Sequence, residues 1–381
     1  MKICAIICEY NPFHNGHLWH IGEARKRSGA DAVLCVMSGN FVQRGEAAVL
    51  DKYLRAKHAV LAGADAVVEL PNVFATSNAE LFAKGAVKIL TAVPSVETLC
   101  FGAENADKLT FVSAAKYLND EPKEVSEKIK AAVGAGMSYA RARAQAWAGF
   151  IPFDVLSSPN NILGLEYTKA LLALRSDVSV LPVQRRGAGY SDNALRNDFS
   201  SATAIRNAIK NGENVSGNLP DFVLRDLSVL SRNCLETLEK YALLSRSTEE
   251  IASVCDCTEG LENALKRVAG TDEPLVEALT SARYTSSRIR RIALQNLLEI
   301  DEKLVRDSLS SPLYLRVLAV KKERSDVLSA LGESEYPLIA RAHDEEKLSG
   351  VAAACYEKDV YAEKVYSLLH PCPKKERNIF I

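Results

Sequence analysis

Several things are missing from this chain of 381 residues, and each absence narrows what it can be. An excess of one charge is missing: 47 Lys and Arg face 48 Asp and Glu, a formal net charge of −1. No global field marks the chain for a polyanion or a membrane surface, so any polyanion site must be a local patch. No apolar run approaches the roughly 20 residues that span a bilayer. The opening MKICAIICEYNPF is too short and too soon interrupted for a secretory signal. No G-x-x-x-x-G-K-[ST] loop occurs, which closes that route to a nucleotide triphosphate. Cys255 and Cys257 form a C-x-C without a second pair at zinc-finger spacing, and no carboxylate cluster suggests a dedicated cation cage. Internal repeats and low-complexity tails are missing too. The nine cysteines are odd in number and scattered, several inside apolar runs, which predicts reduced thiols and a cytoplasmic location.

What is present is an ordinary globular composition, 48% hydrophobic and 25% charged, with enough length for two cores. The first half alternates strand and helix signals. KICAIIC reads as a buried parallel strand, and GHLWHIGEARKRSG as a helix ending at Gly29. DAVLCVMSG is a second strand, DKYLRAKHAVLAGA a helix with Asp51 as N-cap, and DAVVELP a strand stopped by Pro71. SNAELFAKGAVKIL, VETLCFG, NILGLEYTKALLAL and VSVLPVQ continue the alternation. Strands separated by helices of this length predict an α/β fold with a doubly wound parallel sheet over residues 1–215. From 216 the strand signal fades. LPDFVLRDLSVL, CLETLEKYALLS, GLENALKRVA, SSRIRRIALQNLLEI and YLRVLAVKKE read as helices, predicting a mainly helical C-terminal domain over 216–381.

In such sheets ligands bind beyond the carboxyl ends of the strands. Four loops fall there: 9–17, 38–46, 102–105 and 185–192. The first, EYNPFHNGH, opens the first helix, and half of the six histidines lie between 14 and 20. Amides at a helix start carry partial positive charge, and a glycine there keeps no side chain in a phosphate's way. His14 and His17 bracket Gly16 as H-x-G-H, with ring N–H groups suited to phosphate oxygens and to charge developing on an attacked phosphorus. Metal binding by His14, His17 and His20 lacks a carboxylate at a usual spacing, and no metal is expected. A second element, SSATAIRNAI, can present hydroxyls from Ser200, Ser201 or Thr203, with Arg206 adding charge.

H-x-G-H and this Ser/Thr–Arg element resemble the nucleotidylyltransferase superfamily related to class I aminoacyl-tRNA synthetases. More of the chain resembles one family. EYNPFHNGH, MSGNFVQRGE, DKYLRAKHA, ADAVVELP, CFGAE, PNNILGLEY and RRGAGYSD together are similar to the bacterial tRNA(Met) cytidine acetate ligases, strongly to about residue 210 and weakly beyond. The resemblance implies that ATP and acetate give acetyl-adenylate and pyrophosphate, and that the acetyl group passes to N4 of the wobble cytidine of elongator tRNA(Met). It implies ATP, with Mg²⁺, along the run Ile7, Cys8, Glu9, Tyr10, Asn11, Pro12, Phe13, His14, Asn15, Gly16, His17, Leu18, Trp19 and His20. Further ATP contacts are implied for Gly102, Asn160 or Asn161, Arg185 and Arg186, joined by Ser201, Thr203 and Arg206. His14 and His17 are the expected catalytic pair. Asn40, Gln43 and Arg44 could orient acetate or cytosine, with Arg44 neutralising a carboxylate.

For RNA, ARYTSSRIRR carries four arginines and no acid. Arg283, Arg288, Arg290 and Arg291, followed by Lys321 and Lys322, could hold phosphates, with Tyr284 stacking on a base. No obligate protein partner is implied. The competing classes are a small-molecule nucleotidylyltransferase of cofactor metabolism, which would not need the long helical region, and a non-catalytic nucleotide- or RNA-binding protein.

Overall fold

The protein is described by a computed structural model, which defines all residues except 121, 138, 149, 187–194, 196–198, 228–233, 342 and 370–378. Part of the 185–192 loop, part of LPDFVLRDLSVL and Cys372 therefore lie outside the described residues. Strands β1 (Ile3–Cys8), β2 (Ala32–Ser38), β5 (Ala66–Leu70), β6 (Val96–Ala103) and β7 (Ser179–Gln184) form as the apolar runs predict, and the polar loop after β2 adds a short hairpin of β3 (Phe41–Val42) and β4 (Glu46–Ala47). Helices α1 (Asn15–Ser28) and α2 (Lys52–Leu61) cross between them. Gly29 ends α1 in the left-handed conformation, and Asp51 caps α2 by accepting from the Tyr53 and Leu54 amides.

The main sheet has seven strands in the order β7-β6-β1-β2-β5-β8-β9, where β8 is Leu315–Val320 and β9 is Leu338–Ile339. The strands from β7 to β5 run parallel, and β8 is antiparallel to β5. Alternate residues of β1 feed opposite faces: Ile3 and Ala5 join one core, Cys4 and Ile6 the other. That two-sided burial is why the strands read as continuous apolar runs rather than alternating ones.

One expectation needs correction. YLRVLAVKKE is not helical: its six strand residues are all buried and extend the sheet beyond β5. A short apolar run cannot be told from a helix segment by periodicity alone, and Val317 and Val320 favour the pleat. Residues of the 216–381 region, up to Leu369, share the core on one face with Ile3 and its neighbours. They do contain a smaller helical cluster, built on Leu243, Ile251, Leu261, Leu265, Ile289 and Ile292. Among the described residues, four helices also form between 108 and 157.

Charged residues in DKYLRAKHA and ADAVVELP turn out to be interior. Lys52 and Glu69 are both fully buried and lie 2.5 Å apart. Lys52 also pairs with Glu363 at 2.7 Å, on the C-terminal helix Gly350–Leu369. Arg316 of β8 closes the quartet, 3.2 Å from Glu69 and 2.7 Å from Glu363. Arg55, also buried, donates to the carbonyls of Glu9, Ser38, Gly39 and Leu50, tying the ends of β1 and β2 together. Removing one member of a buried pair leaves its partner uncompensated. Glu69→Gln should therefore cost about 3–5 kcal/mol of stability, read as a lower denaturant midpoint with an unchanged slope; an unchanged midpoint would show that the quartet is not a structural tie.

Candidate functional site

A cavity of about 400 Å³ opens at the carboxyl ends of β1 and β6, where the sheet topology places a ligand. Most of the 7–20 run lines it: Ile7, Cys8, Glu9, Tyr10, Asn11, His14, Gly16, His17, Trp19 and His20. Pro12, Phe13, Asn15 and Leu18 do not. Phe13 is core, Leu18 faces solvent, and the Asn15 side chain donates to the Gly217 carbonyl at 2.9 Å.

The corner is closed by its own imidazoles. His14 is the N-cap of α1, its Nδ1 accepting the Gly16 amide at 3.0 Å, and His17 Nδ1 accepts the His14 amide at 3.3 Å. The two rings stack with centroids 3.6 Å apart. Both Nδ1 atoms are acceptors, so each neutral ring carries its proton on Nε2. Gly16 is required for this reason: a Cβ there would stand 2.9 Å from His14 Cε1.

One expectation changes here. The Asn15 amide donates to the Asn218 carbonyl, that of Gly16 to His14 Nδ1, and those of His17 and Leu18 to the His14 carbonyl. The first amides of α1 are thus committed within the protein, leaving imidazole Nε2–H groups as its anion donors. Uncommitted amides belong instead to the helix Ala202–Lys210. Its N-cap Ser201 accepts from the Ala204 amide at 3.1 Å, while the Ala202 and Thr203 amides make no hydrogen bond among the described residues, and residues 199–203 line the cavity. Arg206, from the same helix, donates to the Asn11 carbonyl at 3.0 Å and to Thr203 Oγ1 at 3.3 Å.

Gly102, Arg185 and Arg186 also line the cavity, the Arg186 guanidinium 4.9 Å above the Trp19 ring. Of the asparagine pair, Asn160 lines it and donates to Glu104 Oε1 at 2.6 Å. Asn161 is fully buried, and its Oδ1 accepts from the Glu104 and Asn105 amides. Arg44 and Gln43 line the cavity from the β3–β4 hairpin. Asn40 does not: its Oδ1 accepts the Lys52 amide at 2.8 Å, holding the start of α2. Sequence reasoning missed Glu46, Phe101 and Tyr167, all cavity-lining. A two-residue hairpin strand, an apolar strand and a buried helix face carry no chemical signature.

The electrostatics are those of a site waiting for anions. Burial holds His14 down to about 3, helped by Arg185 and Arg206; burial and Arg185 hold His20 down to about 4; burial and His14 keep His17 well below its ordinary value. Burial raises Glu9, against the pull of the Gln43 amide on its Oε1 at 2.8 Å and of Arg206 and Arg44. Among the described residues, no group of three or more His, Cys, Asp or Glu is placed to hold a metal ion.

The expected RNA residues divide. Arg288 is spent on the segment 256–259, donating to Asp256, Thr258 and Glu259. Arg291 faces Asp256, and Tyr284 donates to the Glu259 carbonyl. Arg283 is mostly exposed, and Arg290 reaches Glu46 at 3.4 Å. Lys321 and Lys322 lie elsewhere. Val320 pairs with Ala66, the first residue of β5, so the lysines sit at the amino edge of the sheet, a strand length (roughly 17 Å) from the cavity edge. They do not share a surface with the arginines of the helix Ser286–Leu298 that borders the cavity.

A seven-stranded, mainly parallel sheet with paired H-x-G-H imidazoles in its first corner defines a nucleotidyl transferase of the HIGH type, and the sequence profile described as HIGH Nucleotidyl Transferase matches residues 1–379. Two proteins called tRNA(Met) cytidine acetate ligase are each 38% identical to the chain. The one from Caldanaerobacter subterraneus subsp. tengcongensis covers 97% of this chain and 96% of its own; the one from Acetivibrio thermocellus covers 90% and 89%. Crystal structures of Thermotoga maritima TmcAL, 31% identical, match with TM-scores of 0.91 in the apo form and 0.87 bound with alpha-thio ATP. They cover 100% of this chain and 99% and 97% of theirs. The chain belongs to the tRNA(Met) cytidine acetate ligase family.

The depressed imidazoles carry a pH signature. Ordinary histidine titrates near 6.5, so below that value the unfolded chain binds protons the folded chain refuses, and stability falls as pH drops toward about 4. Denaturant midpoints should be lower at pH 5 than at pH 7.5, and His20→Gln should lose part of that difference. Equal pH slopes in the two proteins would mean that His20 titrates normally.

Proposed function

We propose that this protein is an ATP-dependent ligase that makes acetyl-adenylate and acetylates N4 of the wobble cytidine of elongator tRNA(Met). The observation that carries this reading is the convergence, on one cavity, of the His14 and His17 rings, Arg185, Arg206 and the open amides of the Ala202–Lys210 helix. In the first step an acetate oxygen attacks the α-phosphorus; a P–O bond forms, the bond to pyrophosphate breaks, and pyrophosphate leaves. In the second step N4 attacks the acetyl carbon, the C–O bond to phosphate breaks, AMP leaves and the N4 proton is lost. Activation is needed because the N4 lone pair is delocalised into the ring and acetate is a poor electrophile.

Neutral imidazoles suit the first step. Their Nε2–H groups are donors fixed in place before charge develops on the phosphorus, and each such donor is worth about 10²–10³ in rate. Arg44 is the proposed acetate partner, on the hairpin wall facing the same cavity. Magnesium would ride on the phosphates. Of the cavity's carboxylates, Glu9 accepts from Gln43 among arginines, and Glu46 faces Arg206 and Arg290. RNA would lie over Arg283, Tyr284 and Arg290, because the hairpin tip abuts the helix Ser286–Leu298: a Cβ on Gly45 would be 2.5 Å from the Arg290 carbonyl carbon. Among the described residues no helix is long and apolar enough to cross a membrane, and the eight described cysteines are free thiols, in keeping with a cytoplasmic enzyme.

Incubation with ATP, labelled acetate and bulk tRNA should place label in RNA. Nucleotide label in a small product, or no product, would exclude the proposal. His14→Asn combined with His17→Ala keeps a side-chain cap for α1 and should lower acetate-dependent ATP–pyrophosphate exchange at least about 100-fold at a similar melting temperature. Arg44→Ala should raise the KM for acetate more than that for ATP; an unchanged acetate KM would remove Arg44 from that role.

A further inference from the structure

The β3–β4 hairpin joins the nucleotide cavity to the basic helix, and one carboxylate stands at the joint. Glu46 lines the cavity and is about two-thirds buried. One of its oxygens is 3.8 Å from Arg206, which forms part of the cavity wall. The other is 3.4 Å from Arg290, on the helix Ser286–Leu298. Glu46 therefore bridges two guanidiniums, with Arg44 and Glu9 in the same charged neighbourhood, and each bridged guanidinium has another anion to bind: a nucleotide phosphate for Arg206 and, on the functional reading above, an RNA phosphate for Arg290. At 3.8 and 3.4 Å neither ion pair is tight enough to hold its partner against a phosphate, which guanidinium binds bidentately. The backbone beneath it is rigid, because Gly45 (φ 73°) packs directly on the main chain of Arg290 and Arg291. The side chains can thus exchange partners without the hairpin moving.

We propose that Glu46 is a positioning residue whose carboxylate passes between Arg206 and Arg290, so that triphosphate in the cavity weakens RNA binding until pyrophosphate leaves. The sequence of events follows from charge alone. When a triphosphate enters, Arg206 turns to it and Glu46, repelled by the polyanion, pairs fully with Arg290. A neutralised Arg290 then holds an RNA phosphate poorly. Loss of pyrophosphate removes most of the cavity's negative charge, Arg206 returns to Glu46, and Arg290 is released for RNA. The arrangement favours RNA arriving when acetyl-adenylate, rather than ATP, is in the cavity. Coupling between binding sites is reciprocal, so RNA must weaken the triphosphate by the same factor.

The experiment measures tRNA affinity at one fixed salt concentration, with and without saturating α,β-methylene-ATP, for the full chain. In the wild type the analogue should weaken tRNA about fivefold or more. In Glu46→Gln that ratio should fall to near unity, while Glu46→Asp, which keeps the charge, should restore most of it. Melting temperatures and separate affinities for each ligand report a merely structural effect, which would shift them without changing the ratio. Simple repulsion between two polyanions would leave the ratio intact or enlarged in Glu46→Gln, and that result would overturn the proposal. So would a wild-type ratio of one, with both ligands bound, which leaves the ligase reading standing. A wild type that binds no tRNA would overturn both.

Discussion

Lys52, Glu69, Arg316 and Glu363 meet in the interior, and almost everything about the site depends on their being together. They come from two neighbouring early elements, α2 and β5, and two late ones, β8 and the C-terminal helix. Ions this deep are stable only in company, so the quartet fixes where the last third of the chain docks on the first. Arg55, one turn along α2 from Lys52, then holds the carbonyls where β1 and β2 end. The corner that carries the histidines is thus fastened from below by a helix that is itself anchored in the quartet.

Above that foundation, the cavity is electropositive without charged histidines. Desolvation keeps the three rings neutral, and the arginines around them reinforce this. The division of labour is chemically sensible. On the proposed function, guanidiniums would supply permanent charge for a nucleotide's phosphates, while neutral imidazoles would contribute oriented N–H bonds that cost no proton uptake when the reaction proceeds.

Much of this was legible in the residues. The parallel strands announced themselves because two-sided burial demands unbroken apolar runs, and Asp51 and Gly29 marked helix ends by their backbone chemistry. The H-x-G-H corner was legible because few other roles need two histidines around a glycine. Its internal wiring was not: that His14 would cap its own helix, and so move the open amides to the Ala202–Lys210 helix, is a matter of rotamers. β8 was misread because six apolar residues fit either period, and Lys321 and Lys322 were grouped with the arginines because nearness in sequence does not show which end of a strand a residue occupies. Asn40 looked like a ligand because buried structural asparagines and exposed binding ones share the same letters. Glu46 gave no signal at all, since its meaning arises only where residues 206 and 290 approach it.

The antiparallel strand at position 315–320 also has a bearing on how the protein is made. Until roughly 320 residues have left the ribosome, β5 has no neighbour on its outer side, and a nascent chain carries a bare, apolar strand edge in solution. Such edges invite pairing with the wrong chain. Synthesis of this enzyme therefore includes a long interval in which a chaperone, or simple speed of translation, must guard an unfinished sheet.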